Sequence, residues 1–153
     1  MAKLIGSADV EAAADVCRNT VDTQNTATAG KLFAVANNTT IKFSVDYAGS
    51  PVLLSEAVTP LGSTQGTAAA LTAPLSVVTG ANGTLAVVLP AVVAGKVMMV
   101  YGATATNGLP IFPAVDDDIN GGTTDAAVTI EGKTLAIFIG TSSSTWAAIY
   151  TAN

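Results

Sequence analysis

Histidine is absent from the chain, and cysteine occurs once. Without histidine there is no imidazole base, proton shuttle or histidine metal ligand. One cysteine cannot close an internal disulfide or complete a four-cysteine metal site. Charge is scarce as well, at 11% of residues against a usual share of about 25%. The six basic residues (Lys3, Arg18, Lys31, Lys42, Lys96 and Lys133) are scattered along a chain of net charge -5. Nucleic-acid binding needs a concentrated positive surface, so that class is excluded. Apolar runs fall well short of the roughly 18 residues that would span a bilayer as a helix. The opening Met1-Ala2-Lys3-Leu4-Ile5-Gly6 meets Asp9, Glu11 and Asp15, which would interrupt the apolar region of a secretory signal. The expectation is a protein made in a cytoplasm that stays soluble or joins an assembly there.

What remains is aliphatic and small. Hydrophobic types make up 50% of the 153 residues but aromatic types only 5%. Alanine and threonine together supply about a third. A chain of this length forms one domain, or one domain with an arm, and buries roughly two thirds of its unfolded surface. Disorder is excluded, because disordered chains combine low hydrophobicity with high charge.

Residues 8–18 carry the one helix signal: an alanine run, Ser7 as a cap, Asp9 and Glu11 near the positive end and Arg18 near the negative end. Polar residues 19–30 read as a loop. Lys31–Ala36 reads as a strand, Asn37-Asn38 as a turn and Thr40–Asp46 as a second strand. In that second strand Ile41, Phe43 and Val45 alternate with Lys42, Ser44 and Asp46. Val52-Leu53-Leu54 is a short apolar segment. Residues 61–74, with Gly62, Gly66 and Pro74, read as a linker between an N-terminal β segment (31–60) and a C-terminal β domain (75–153).

In the C-terminal part, strands are predicted over Leu75–Val78, Thr84–Leu89, Lys96–Tyr101, Leu109–Phe112, Ala126–Glu131, Thr134–Ile139 and Thr145–Tyr150. Glycines punctuate them, and Asn82-Gly83 is a strong turn signal. Evenly spaced short strands with glycine turns predict an all-β fold. The expected form is a compact sandwich or jelly-roll-like barrel of antiparallel strands, with an N-terminal arm or short helix. No exact repeat is visible. Exposed sheet faces usually carry Lys and Glu as guards. Here they carry Thr, Ser and Ala, which suits either broad packing on a partner or an ordinary Thr-rich sheet surface.

Candidate chemistry is thin. Asp116-Asp117-Asp118 with Asn120 is the densest charge, and hard cations take oxygen ligands. Three consecutive carboxylates do not match a calcium loop, so a solvated acidic loop or a patch facing a neighbour is the expectation. Glu56 and Glu131 could in principle form a glycosidase-like carboxylate pair, but no spacing specifies it. Glu131-Gly132-Lys133 reads as a hairpin tip. Ser142-Ser143-Ser144 reads as turn composition, with no lysine nearby to activate a serine. Cys17 reads as a small apolar side chain in a packed helix or interface. Trp146 and Tyr150 share one strand face toward core or interface, and Tyr101, Phe112 and Phe138 read as further core. The glycine turns match no phosphate-binding pattern. No catalytic, cofactor-binding or metal residue is therefore assigned, and no cofactor is expected.

A series of short motifs runs through the C-terminal half. These are Asn82-Gly83-Thr84, Val88-Leu89-Pro90-Ala91-Val92-Val93-Ala94-Gly95-Lys96-Val97, Leu109-Pro110-Ile111-Phe112-Pro113-Ala114, Asp118-Ile119-Asn120-Gly121, Ala127–Lys133 and Thr145-Trp146. In this order they resemble the pattern of the tailed-phage capsid decoration, or cement, proteins over about residues 74–150. The chain departs from that pattern at Leu109–Phe112, where a plain strand is usual, and at Val115–Asp118, where a Gly-Asp turn is usual. The resemblance implies a non-catalytic virion protein on the outer capsid surface, assembled in the host cytoplasm. It implies a homotrimer bridging major capsid subunits, with no nucleic acid or membrane partner. A fibre, tail or neck component of the same kind of virion is the alternative.

Overall fold

The computed structural model describes residues 17–20, 31–37, 40–46, 51–104 and 107–150. These fall into two compact units, divided between Leu54 and Ser55. The N-terminal unit holds an antiparallel sheet of four strands in chain order: β1 (Cys17–Thr20), β2 (Lys31–Asn37), β3 (Thr40–Asp46) and β4 (Pro51–Leu53). The two strands predicted around Asn37-Asn38 pair with each other, Asn37 opposite Thr40. The helix predicted over 8–18 is corrected at its end. Cys17 and Arg18 pair as strand with Asn37 and Ala36, and Asn19 and Thr20 extend that strand into the segment read as loop. Residues 8–16 and 21–30 lie outside the described residues.

The second unit is a stacked-coil β-solenoid, and this corrects the expected sandwich or jelly-roll barrel. Its strands are β5 (Ser55–Val58), β6 (Ala69–Ala70), β7 (Leu75–Val78), β8 (Val87–Val88), β9 (Val97–Gly102) and β10 (Leu109–Phe112), followed by β11 (Asp118–Ile119), β12 (Val128–Ile130), β13 (Leu135–Gly140) and β14 (Thr145–Ile149). The first six alternate between two sheets. β5, β7 and β9 stack in parallel in one, and β6, β8 and β10 stack in parallel in the other. Each turn of the chain therefore adds one rung to both sheets. In an antiparallel jelly roll these neighbours would run in opposite directions.

After three coils the chain reverses. β12 lies antiparallel on β10 and β13 antiparallel on β9. β14 folds back on β13 as a hairpin, and short β11 runs parallel along β14. The sheets close as six strands (β11-β14-β13-β9-β7-β5) and four strands (β12-β10-β8-β6).

The stretch read as a linker over 61–74 is part of the first coil. Leu61 bridges Ala86, residues 65–67 form one 3-10 turn and Ala69-Ala70 form β6. Glu131–Thr134 is not a hairpin tip. It carries the chain from the four-stranded sheet to the six-stranded one, and its strands β12 and β13 do not pair. Lys133 N–H donates to the Gly102 carbonyl and Gly102 N–H to that of Thr134, fastening this corner to the third coil.

Alternation decides which side chains enter the core. In β9, Met98, Val100 and Gly102 are buried and Met99 and Tyr101 half-buried. In β13, Ala136, Phe138 and Gly140 are buried. Parallel register stacks inward residues in columns, such as Val58-Val78-Gly102 and Ala69-Val87-Ile111. Leu71, Leu89, Leu109, Ile130 and Trp146 fill the space between the sheets. The core is thus aliphatic with Phe138 and Trp146 as its large members, and Tyr150 packs at its margin. Trp146 and Phe138 meet the expectation of core placement. Tyr101 and Phe112 do not, since they stand half-buried on outward positions of the two sheets.

Packing demands glycine at position 140. A Cβ on Gly140 would run into the Val93 carbonyl and the Val92 side chain. The loop before β9 is laced to β13 here, Gly95 N–H donating to Gly140 O and Gly140 N–H to Lys96 O, both at 2.8 Å.

Candidate functional site

Glu56 and the aspartate cluster singled out in the sequence occupy two places in the solenoid, and both are structural clasps. Glu56 sits on β5 in the inward column that continues as Ser76, Val100 and Ala136. An apolar residue would suit that column, but the coil bend at Thr72-Ala73 turns its donors toward Glu56. Oε1 accepts from Thr72 N (2.8 Å), Ala73 N (3.1 Å) and Ser76 Oγ (2.7 Å). Oε2 accepts from Thr72 Oγ1 at 2.6 Å. Partial burial raises the pKa of the Glu56 carboxyl. The Thr72, Ala73 and Ser76 hydrogen bonds together outweigh burial and hold it below its ordinary value.

The second place is the loop from Pro113 to Asp125. Its three consecutive aspartates diverge. Asp116 is exposed in the left-handed region (φ 69), with its backbone N–H donating to Asp125 Oδ1 at 2.8 Å. Asp117 is buried, and its Oδ2 accepts from Val92 N at 3.0 Å. Asp118 accepts from Gly121 N (2.8 Å) and Thr145 Oγ1 (3.0 Å). Asp125 Oδ1 also accepts from Gln65 Nε2 (3.0 Å), which donates in addition to the Pro113 carbonyl (2.9 Å). A residue of the first coil is thereby tied to the terminal loop. Among the described residues no group of three His, Cys, Asp or Glu side chains is placed to hold a metal ion.

Asn120 makes a contact that sequence reasoning missed. Its backbone turns into the left-handed region (φ 57), so the β11 ladder ends there. Its side-chain amide continues the pairing instead. Ala148 N donates to Oδ1 at 2.7 Å, and Nδ2 donates to Ala148 O at 3.2 Å. The signal was available, because Asn is enriched at left-handed positions and its amide mimics a peptide group.

The remaining candidates stand apart. Glu131 follows β12 at the far edge of the four-stranded sheet, while Glu56 lies on the first coil. β6 of that coil is three strand spacings from β12, roughly 14 Å. The stack therefore does not bring the two carboxylates together as a pair. Ser142 closes the β13–β14 hairpin, its Oγ accepting from Ser144 N and Thr145 N at 3.1 and 3.0 Å. Cys17 lies in β1, not in the helix that was one of the two settings, packed helix or interface, predicted for it. Trp146 Nε1 is buried without a hydrogen-bond partner.

Among the described residues, the outer face of the six-stranded sheet is apolar. Cross-strand rows Leu75-Met99-Ile137-Ile149, Val77-Tyr101-Leu135 and Val97-Ile139-Ala147 cover it. Val97, Leu135, Ile139 and Ile149 are 45%, 46%, 41% and 75% exposed. No charged residue stands in these rows. No protein-family model and no curated protein matches the chain. The resemblance to decoration proteins therefore rests on the short motifs alone.

Proposed function

We propose that this chain is a non-catalytic structural protein of a virion, which decorates a phage capsid and cements it by bridging major capsid subunits as a homotrimer. The observation that carries this reading is how the solenoid uses its polar groups. Glu56, Asp117, Asp118 and Asp125 are engaged in holding backbone bends, and the central strands of the six-stranded sheet turn outward Val97, Met99, Tyr101, Leu135, Ile137 and Ile139. A rigid body with uncharged faces suits burial of area across several neighbours, where many weak contacts multiply. The motif order over residues 74–150 supports the same reading. Placement would be on the outer capsid surface after assembly in the host cytoplasm, with no cofactor, nucleic acid or membrane involved.

A second reading is favoured by the stacked coils. A solenoid grows along one axis, which suits a fibre, tail or neck component of such a virion. A reconstruction of the purified particle separates the two. The cement reading expects density for this chain over the capsid lattice. Density confined to the tail, neck or fibres supports the second reading, and a particle lacking the chain overturns both.

A further inference from the structure

We infer that Asn82 is a self-modifying site, at which the folded chain converts an asparagine amide to aspartate and isoaspartate without an enzyme. This goes beyond the function proposed above and does not depend on it. The chain has three Asn-Gly pairs, Asn82-Gly83, Asn107-Gly108 and Asn120-Gly121. In each, the glycine nitrogen follows the asparagine directly and can reach its Cγ, and glycine puts no side chain in the way. Sequence alone ranks the three together. The fold separates them.

Asn120 is locked. Its Oδ1 accepts from Ala148 N and its Nδ2 donates to Ala148 O, while the Gly121 N–H is turned to Asp118 Oδ1 at 2.8 Å. Both the amide and its attacker are held by other partners. At the second pair Asn107 Nδ2 donates to Ala81 O at 3.5 Å, and Gly108 is buried, which keeps hydroxide from its nitrogen. Asn82, Gly83 and Thr84 are all exposed. Among the described residues the Gly83 N–H donates to no acceptor. Asn82 Oδ1 accepts from Thr84 N at 3.0 Å and from Leu85 N at 2.8 Å. These donors point at the oxygen that gains negative charge when Cγ is attacked, the arrangement that stabilises an oxyanion.

The chemistry needs only water. Hydroxide removes the Gly83 N–H proton, the nitrogen bonds to Cγ, and Nδ2 leaves as ammonia, closing a succinimide ring. The ammonia takes its third proton from water, which regenerates the hydroxide. Water then opens the ring. Breaking the new bond from Gly83 N to Cγ leaves aspartate at position 82. Breaking the original peptide bond leaves isoaspartate, with the main chain rerouted through Cγ. Either product adds one negative charge to the net -5. The turn is anchored on both sides, Ala81 N on Thr104 Oγ1 and Ala86 N on Leu61 O. A Cβ on Gly83 would meet nothing within 4 Å, so the lengthened backbone has open space to enter.

Incubating the full chain at mildly alkaline pH, with peptide mapping by tandem mass spectrometry, tests this. A gain of about 1 Da should accumulate at Asn82 at least about tenfold faster than at Asn107 or Asn120, less than one oxyanion donor contributes in an enzyme. In the chain unfolded in urea the three pairs should react at comparable rates, because the contacts that separate them are gone. Asn82→Asp, which has no amide to lose, should abolish the fast appearance of a more acidic form on isoelectric focusing. Equal rates at the three pairs in the folded chain, a faster gain at Asn107 or Asn120, the same ranking folded and unfolded, or an acidic form that still appears fast in Asn82→Asp would overturn the proposal.

Discussion

Replacing Glu56 isolates the clasp at the first coil. Its carboxylate accepts four hydrogen bonds of 2.6–3.1 Å, two from backbone N–H groups and two from hydroxyls. A hydrogen bond contributes about 0.5–1.5 kcal/mol net, and one to a charged group somewhat more. The site is partly exposed, so water substitutes for part of what is lost. Glu56→Ala is expected to destabilise the solenoid by about 2 kcal/mol and Glu56→Gln by about 1 kcal/mol. For a unit of this size 1 kcal/mol corresponds to about 4–8 °C in Tm.

The pH dependence carries the sharper test. The carboxyl is held below its ordinary value when folded. Its contribution is therefore fully present above the unfolded pKa of about 4.3 and is lost as pH falls through the lower folded pKa. The stability gap between parent and Glu56→Gln should be constant near neutrality and close on acidification below about pH 4.3. The only tryptophan is Trp146, so urea titrations followed by its fluorescence report this unit alone. Comparing the difference removes the titration of the other acids. A gap that persists unchanged at pH 3, or no gap at pH 7, would refute the account of Glu56 as an ionised clasp.

Other outcomes follow from the terminal loop and the β9 lacing. Asp117→Ala strands the Val92 N–H in the interior and should cost about 1–3 kcal/mol in chemical denaturation. Gly140→Ala should cost a similar amount, about 1–3 kcal/mol by thermal melting, because the new methyl meets backbone that cannot step aside. Asn120→Ala removes both side-chain bonds to Ala148, and hydrogen exchange at the Ala148 amide should accelerate while the β9 amides keep their protection. Millimolar calcium should leave the Tm unchanged, since the Asp117 and Asp118 carboxylates are directed to separate partners and no three carboxylates converge among the described residues. A calcium-dependent rise would show that they converge.

Strand positions were legible because alternation and glycine punctuation are local. Leu75–Val78, Leu109–Phe112 and Thr40–Asp46 were read with their observed bounds, and the segments at β9, β13 and β14 within one residue at each end. Strand direction was not legible, since a parallel and an antiparallel strand present the same alternation. The coil repeat was hidden by unequal lengths. From Val58 to Val78 is 20 residues and from Val78 to Gly102 is 24, while in the other sheet Ala69 to Val87 is 18. β5 was missed because Glu56 interrupts its apolar pattern, and β6 because two alanines carry no strand signal. At the candidate site the aspartate cluster was visible as composition. Its divergence was not, because it depends on partners as remote as Gln65, Val92 and Thr145.

The reversal after the third coil gives this protein an adjustable length. Like-directed rungs precede it, whereas β12 and β13 run against their neighbours and end that series. A duplicated segment of about twenty residues, inserted between β5 and β9, would slot in as one more rung while the reversed portion was carried along intact. Each such insertion would move the two extremities of the stack apart by about 4.8 Å. The fold is therefore a molecular spacer whose reach can be set in fixed increments by gene duplication or design, once the Gln65 bonds to Asp125 and Pro113 that span the coils are given up.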